Sequence, residues 1–180
     1  MPDGRTLQVA SVHHYRDQWA RAFDVTYEDA SGNQQYVHQT TYGMSERLLG
    51  AIVASHGDDK GLIMPPPVAP VQVVVIPIIS KGDSSDVISE SERITSELKS
   101  AGIRARLDSR DVRPGQKYYD WEIKGVPLRM EIGPRDLASK SVMCVRRTGG
   151  KQSHSVDNLV DTVRSELSTI GEEMKQQSSD

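Results

Sequence analysis

Val71-Gln72-Val73-Val74-Val75-Ile76-Pro77-Ile78-Ile79 is almost continuously apolar and β-branched. A strand with one wet face alternates polar and apolar residues, so this stretch predicts a strand covered on both faces, inside a sheet lined by helices. On its C-terminal side the pattern keeps switching. A helix is predicted over 86–101, with Val87, Ile94 and Leu98 inward and Gly102 at the C-cap position that stops it. A strand follows at 103–107. Pro114 opens a short helix carrying Tyr118, Trp121 and Ile123, and Gly125 ends it. Strands at 127–132 and 140–147 precede an amphipathic helix over 157–174, whose buried face carries Leu159, Val163, Leu167 and Ile170. Strands alternating with helices in this way make a compact α/β domain around a mostly parallel or mixed sheet.

On the N-terminal side, 62–70 contains four prolines and reads as an extended connector, because proline cannot occupy a helix interior. A domain boundary is expected there. Further back, 6–12 reads as a strand and 14–23 as a helix, with Trp19 and Phe23 four apart on one face. Alternation over 24–29 and 34–42 around Ser31-Gly32-Asn33 predicts an antiparallel hairpin. Ser45 offers N-cap chemistry to a helix with an apolar stripe of Leu48, Leu49, Ile52 and Val53, ended by His56-Gly57-Asp58-Asp59.

Hydrophobic residues make up 36% and charged residues 26% of the 180, with a net charge of -3, a globular composition. The longest apolar run is broken by Pro77 and is far shorter than the ~20 residues of a membrane span, so no membrane helix or membrane partner is expected. Met1-Pro2-Asp3-Gly4-Arg5 lacks the apolar stretch of a signal peptide, and the single cysteine cannot form an internal disulfide. A cytoplasmic location is the expectation. Cys144, inside Ser141-Val142-Met143-Cys144-Val145, reads as a small buried strand residue. The charge is unevenly spread. Segment 99–151 holds thirteen Lys or Arg against six Asp or Glu, which leaves +7 there and -10 elsewhere. Polyanion binding is plausible for that region alone, against the plainer reading of a solvated basic face.

Thr41-Tyr42-Gly43-Met44-Ser45-Glu46-Arg47, followed by Leu48-Leu49-Gly50-Ala51, is similar to motif 3 of the class II aminoacyl-tRNA synthetases. His56-Gly57-Asp58-Asp59-Lys60-Gly61-Leu62, Pro65-Pro66 and Ala69-Pro70-Val71-Gln72-Val73 continue the match, and together they resemble the prolyl-tRNA synthetases of archaeal and eukaryotic type. Arg5 to His13 looks like that family's strand ending in Gly-Thr-Ser-His, and the likeness extends over about residues 1–170. Departures occur at Ala10, Ser11 and Val12, and at Arg16-Asp17-Gln18, where the family usually has Gly-Gln-Asn.

The resemblance implies an α/β chain in two parts. Residues 1–62 would be the end of an antiparallel-sheet class II catalytic domain, 63–70 a linker, and 71–175 a three-layer α/β anticodon-binding domain with a mixed sheet. The implied activity is a ligase that activates proline with ATP and transfers it to tRNA(Pro). Arg47 would serve catalysis, since a guanidinium presents a permanently charged donor fork to phosphate. By the same likeness Gln8, Ser11, Ser45 and Arg47 contact ATP, while His13 and Gly43 border the proline site. Glu122, Arg129, Arg135, Asp136 and Lys151 would read the anticodon. A carboxylate can accept from guanine N1–H and N2–H, and an arginine can donate to O6 and N7. The plainer alternative makes Glu122 and Arg129 a surface ion pair, Arg47 a surface arginine and His13 a satisfied core histidine.

In the complete enzyme the resemblance implies Mg2+ beside ATP, and a homodimer formed through a motif 1 lying upstream, with motif 2, of Met1. No zinc site is expected in this chain, although the family often carries one in a further C-terminal domain. Both ends are therefore expected to be cut, and the chain alone to be inactive. The alternative is a stand-alone tRNA-binding module descended from such a synthetase, without catalytic activity.

Overall fold

A computed structural model describes residues 3–79 and 85–178. The chain divides into two compact units, Met1–Ala54 and Ser55–Asp180. The first contains β1 (Ala10–Arg16), α1 (Gln18–Phe23), β2 (Thr26–Glu28), β3 (Gln34–Tyr36) and β4 (Gln39–Met44), and α2 (Arg47–His56) crosses the division. β1 pairs antiparallel with β4, and β2 with β3. The helix expected from position 14 thus starts only at Gln18. His13 and Tyr15 lie in β1 with rings stacked 5.5 Å apart, as residues two apart on a strand can be, and the ladder with β4 continues to Arg16. There the backbone turns left-handed at φ 50, and Asp17 starts α1 with an ion pair to Arg21 at 2.8 Å. The hairpin is also shorter than its alternation suggests, because Gln39–Met44 leaves it to pair with β1. Among the described residues of this unit, Ala20 alone is a buried hydrophobic; Trp19, Phe23, Tyr42 and the α2 residues Leu48, Leu49 and Val53 stay exposed.

The second unit continues with β5 (Val73–Pro77), α3 (Ser85–Ser100), β6 (Ala105–Leu107), α4 (Pro114–Ile123), β7 (Leu128–Ile132), α5 (Pro134–Ala138), β8 (Ser141–Arg146), β9 (Lys151–Ser155) and α6 (Leu159–Gln177). The strands form a mixed sheet in the order β6-β5-β7-β8-β9, parallel across β6, β5 and β7 and antiparallel beyond. β5 is buried throughout, as its composition predicts. Its alternate residues face opposite ways. Val73 and Val75 join α3 and α6 in the main core, with Leu128, Met130 and Val142, while Val74 and Ile76 meet Trp121 and Tyr118 of α4. Helices therefore cover both faces. Cys144 is buried in β8, where burial pushes its thiol up to about 12.

The proline-rich stretch expected to link two domains packs within the second unit. Leu62 N donates to Ile123 O and Met64 N to Gly125 O, while Arg104 donates to the carbonyls of Pro66, Pro67 and Ala69. The approach is close enough to need glycine. A Cβ on Gly61, whose φ is +129, would lie 2.5 Å from Ile123 Cα, and one on Gly125 at φ +69 would lie 2.7 Å from Leu62.

Asp108, after β6, holds α4 to the sheet. Its carboxylate accepts from Trp121 Nε1 at 2.7 Å and from Arg110 Nη2 at 2.8 Å, and Lys117 Nζ donates to its carbonyl at 3.1 Å. Burial pushes the carboxyl up, but the bonds from Arg110 and Trp121 outweigh it and hold the group at about 2. A carboxyl depressed in the fold contributes stability that is present above its unfolded value of about 3.9 and is lost as pH falls through 2. Urea unfolding should show wild-type stability declining between pH 4 and pH 2. Asp108→Asn should lower it by about 2 kcal/mol at pH 7 and flatten that decline. An unchanged urea midpoint at pH 7 would contradict this role.

Candidate functional site

β7 alternates Leu128, Met130 and Ile132, which face the main core, with Arg129 and Glu131, which face the α4 side. Register then aligns one row across the sheet. Arg106, Val74, Arg129, Val145 and Lys151 are successive partners on β6, β5, β7, β8 and β9. α4 packs over Val74, and beyond it Glu122, Arg129, Val145 and Lys151 line a cleft of about 320 Å³ with Lys60, Trp121 and the turn glycines 149 and 150.

The polar groups of this cleft are tied together. Arg129 donates from Nη1 to Glu122 Oε1 at 3.2 Å and from Nε to Glu131 Oε1 at 3.0 Å, and its guanidinium lies 4.0 Å from the Tyr118 ring centroid. Lys151 Nζ donates to Glu131 Oε2 at 3.2 Å. Glu131, buried between two cations, is the hub. Burial, together with Glu131, pushes the Tyr118 hydroxyl above its ordinary value, with Arg129 opposing. The ion pair expected on the plainer reading of Glu122 and Arg129 is present. It leaves Arg129 Nη2 and Glu122 Oε2 without a hydrogen bond among the described residues.

Arg147 fixes the cleft wall. Its guanidinium, with a side chain only 4% exposed, donates to both oxygens of Asp58, to Gly61 O and to Glu122 O. Those bonds hold the Asp58 carboxyl down to about 2, against its partial burial. Arg135 and Asp136 lie elsewhere, on α5. Asp136 Oδ2 accepts from Gly133 N at 2.9 Å and so caps that short helix, while Arg135 is exposed; neither lines the cleft.

In the first unit Gln8, Ser11, Gly43, Ser45 and Arg47 line one shallow cleft of about 290 Å³. Arg47 Nη1 donates to Gln8 O at 3.2 Å, and the Arg47 backbone N to Ser45 Oγ at 3.4 Å. Ser11 and Gly43 face each other in the β1–β4 ladder, and a Cβ on Gly43 would stand 3.4 Å from Ser11 Oγ. His13 is the next residue along that face, opposite Thr41, and does not line the cleft. No carboxylate lines it, so it supplies no ligand set for a divalent cation. Among the described residues no group of three or more His, Cys, Asp or Glu is placed to hold a metal ion. None of their helices is long and apolar enough to cross a membrane.

Residues 72–166, which hold the sheet and the Glu122–Arg129–Lys151 cleft, match the family model described as anticodon binding domain. The chain belongs to the anticodon-binding domain family. Similarity to individual proteins runs further than the family match. The chain is 52% identical over 177 residues to a proline–tRNA ligase of Thermococcus kodakarensis, covering 98% of this chain and 37% of that one. It is 48% identical over 176 residues to the proline–tRNA ligase of Methanoculleus marisnigri, with the same coverages, and 51% identical over 165 residues to that of Pyrococcus horikoshii, covering 91% and 34%. The chain thus spans somewhat over a third of the length of these curated relatives.

Two residues that hold the anticodon-domain cleft in place, Glu131 and Arg147, are not singled out by the sequence. Glu131 had a local signal, since Leu128-Arg129-Met130-Glu131-Ile132 places two charges on one face of an otherwise apolar strand. Arg147 had none, because Asp58 lies 89 positions away. If Glu131 holds the two cations in place, Glu131→Gln should destabilise the chain by ~1–3 kcal/mol, as removal of one member of a buried charged hydrogen-bond set does. Urea unfolding measures it. A change of only a few tenths would show that Arg129 and Lys151 are placed without Glu131.

Proposed function

We propose that this chain is part of a proline–tRNA ligase, supplying the anticodon-reading domain from its second unit and part of the ATP and proline site from its first. The observation that carries the reading is the family match over residues that form a cleft of paired acid and base, joined to about 50% identity with proline–tRNA ligases over nearly the whole chain. In that cleft Glu122 Oε2 would accept from guanine N1–H and N2–H while Arg129 Nη2 donates to O6 or N7. The ion pair already holds both groups in place, so little side-chain entropy remains to be lost on binding. Arg135 and Asp136, on α5, would meet a neighbouring nucleotide.

Activation is attack of the proline carboxylate on the α-phosphate of ATP, catalysed by orientation and by neutralising phosphate charge. Arg47, with Ser45, Gln8 and Ser11, would hold ATP, and His13 with Gly43 would border proline. This cleft, which has no carboxylate in its lining, does not fit Mg2+. The exposed apolar residues of the first unit support its place within a larger domain, because two-stranded pairs with so little burial do not hold themselves together. A homodimer of the complete ligase, in the cytoplasm, belongs to this proposal.

Two assays test the proposal. The chain by itself should give no proline-dependent ATP–pyrophosphate exchange, and in the complete ligase Arg47→Ala should lower exchange by at least ~10²-fold, as loss of a transition-state charge contact does. Near-normal exchange would make Arg47 an ordinary surface arginine. In tRNA-binding measurements, each base replaced in a proline anticodon should cost the chain ~1–3 kcal/mol, and Glu122→Ala should narrow the gap between proline tRNA and other tRNAs. Equal wild-type affinity for both would sink the anticodon reading, and would favour simple attraction of polyanions.

A further inference from the structure

The in-register row across the sheet carries cations on β6, β7 and β9: Arg106, Arg129 and Lys151. Two of these are neutralised, Arg129 by Glu122 and Glu131 and Lys151 by Glu131. Arg106 is not. Among the described residues it has no carboxylate partner, and its guanidinium lies 5.6 Å from the Trp121 ring centroid. Lys124, just past the end of α4, also lacks a carboxylate partner and places Nζ 4.7 Å from the same centroid. Two exposed cations beside one ring repel each other. The Trp121 π-face offsets part of that cost, and an anion between them would remove it.

The space beside them suits such an anion. Arg106 and Lys124 line a second cleft of about 300 Å³ whose other walls are apolar, among them Leu62, Met64 and Val71. Trp121 and Val126 line both this cleft and the one that holds Glu122, Arg129 and Lys151. The two are therefore neighbours across the end of α4. Adjacent strands are ~4.8 Å apart, so Arg106 stands roughly 10 Å from Arg129 across the sheet, within the reach of one nucleotide step or two.

We propose that Arg106 and Lys124 form a phosphate-binding subsite for the RNA strand that continues past the base-reading cleft, with the adjoining nucleotide lying against the apolar walls beside Trp121. The proposal rests on the reading of the first cleft as an anticodon site. It adds a contact that carries affinity and register but no sequence information, since a phosphate is the same beside every base.

The test uses the 180-residue chain with two transcripts, proline tRNA and the same tRNA with its anticodon replaced, at several salt concentrations. The Arg106→Gln/Lys124→Gln double variant should bind both RNAs more weakly, on the order of tenfold at low salt, and reduce the salt slope by roughly 0.7, the share of one phosphate on a single strand. Its discrimination between the two RNAs should be unchanged. Lys99→Gln, at the end of α3 on the opposite side of the sheet, should have little effect. The charge-keeping Arg106→Lys/Lys124→Arg variant should retain the wild-type slope, which separates charge from packing around Trp121. A double Gln variant that behaves like Lys99→Gln, with wild-type discrimination intact, would overturn the subsite alone. Equal wild-type affinities for the two RNAs would overturn the anticodon reading and the subsite that rests on it.

Discussion

A buried guanidinium must have its donors satisfied, and Arg147 meets that demand by gathering three parts of the chain. Asp58 and Gly61 come from the loop after α2, Glu122 O from the last turn of α4, and Arg147 itself follows β8. Leaving such a group desolvated and unpaired costs several kcal/mol, so these segments are held at fixed distances from one another. Gly61 and Gly125 allow it by letting backbones meet where no side chain would fit. The end of α4 and the β8–β9 hairpin are the walls of the cleft that holds Glu122, Arg129 and Lys151, and their separation follows from this one clamp.

The same logic changes the meaning of the basic segment. Its excess of +7 suggests a broad positive face, yet the fold returns carboxylates from outside the segment to two of its cations, Arg146 and Arg147. Asp58 pairs with Arg147, while Glu166 and Glu173 pair with Arg146. Arg104 is absorbed by backbone carbonyls of the proline-rich stretch. At the cleft beside α4 the charges are placed in acid–base pairs, Arg129 with Glu122 and Glu131 and Lys151 with Glu131, an arrangement that suits base readout more than non-specific attraction.

Much of the second unit was legible because burial leaves local marks. β5 was readable from its unbroken apolar run, α4 from Pro114 and Gly125, and α6 from its periodic Leu159, Val163, Leu167 and Ile170. β9 was not, since Lys151-Gln152-Ser153-His154-Ser155 is an edge strand that contributes hydrogen bonds and little apolar surface. α5 spans five residues, too few for a helical period to show. In the first unit α1 begins at Gln18 rather than at position 14, because Trp19 and Phe23 carry the helical spacing while His14 and Tyr15 belong to β1. Of the candidate residues, Glu122, Arg129 and Lys151 converge on one cleft and Gln8, Ser11, Gly43, Ser45 and Arg47 on another. Glu131 joins its strand neighbour Arg129 to Lys151, 20 positions away, and Arg147 acts through Asp58, 89 positions away, pairings that no local pattern encodes.

The central claim is that RNA meets the sheet face beside α4. Amide and indole NMR shifts of the 180-residue chain, followed as a proline anticodon stem–loop RNA is added, test it most directly. The account predicts shifts at the Trp121 indole, at Glu122 and Arg129, and across 149–151, with α3 and the middle of α6 silent. Shifts confined to α3 and α6, with Trp121 and 149–151 unmoved, would contradict it.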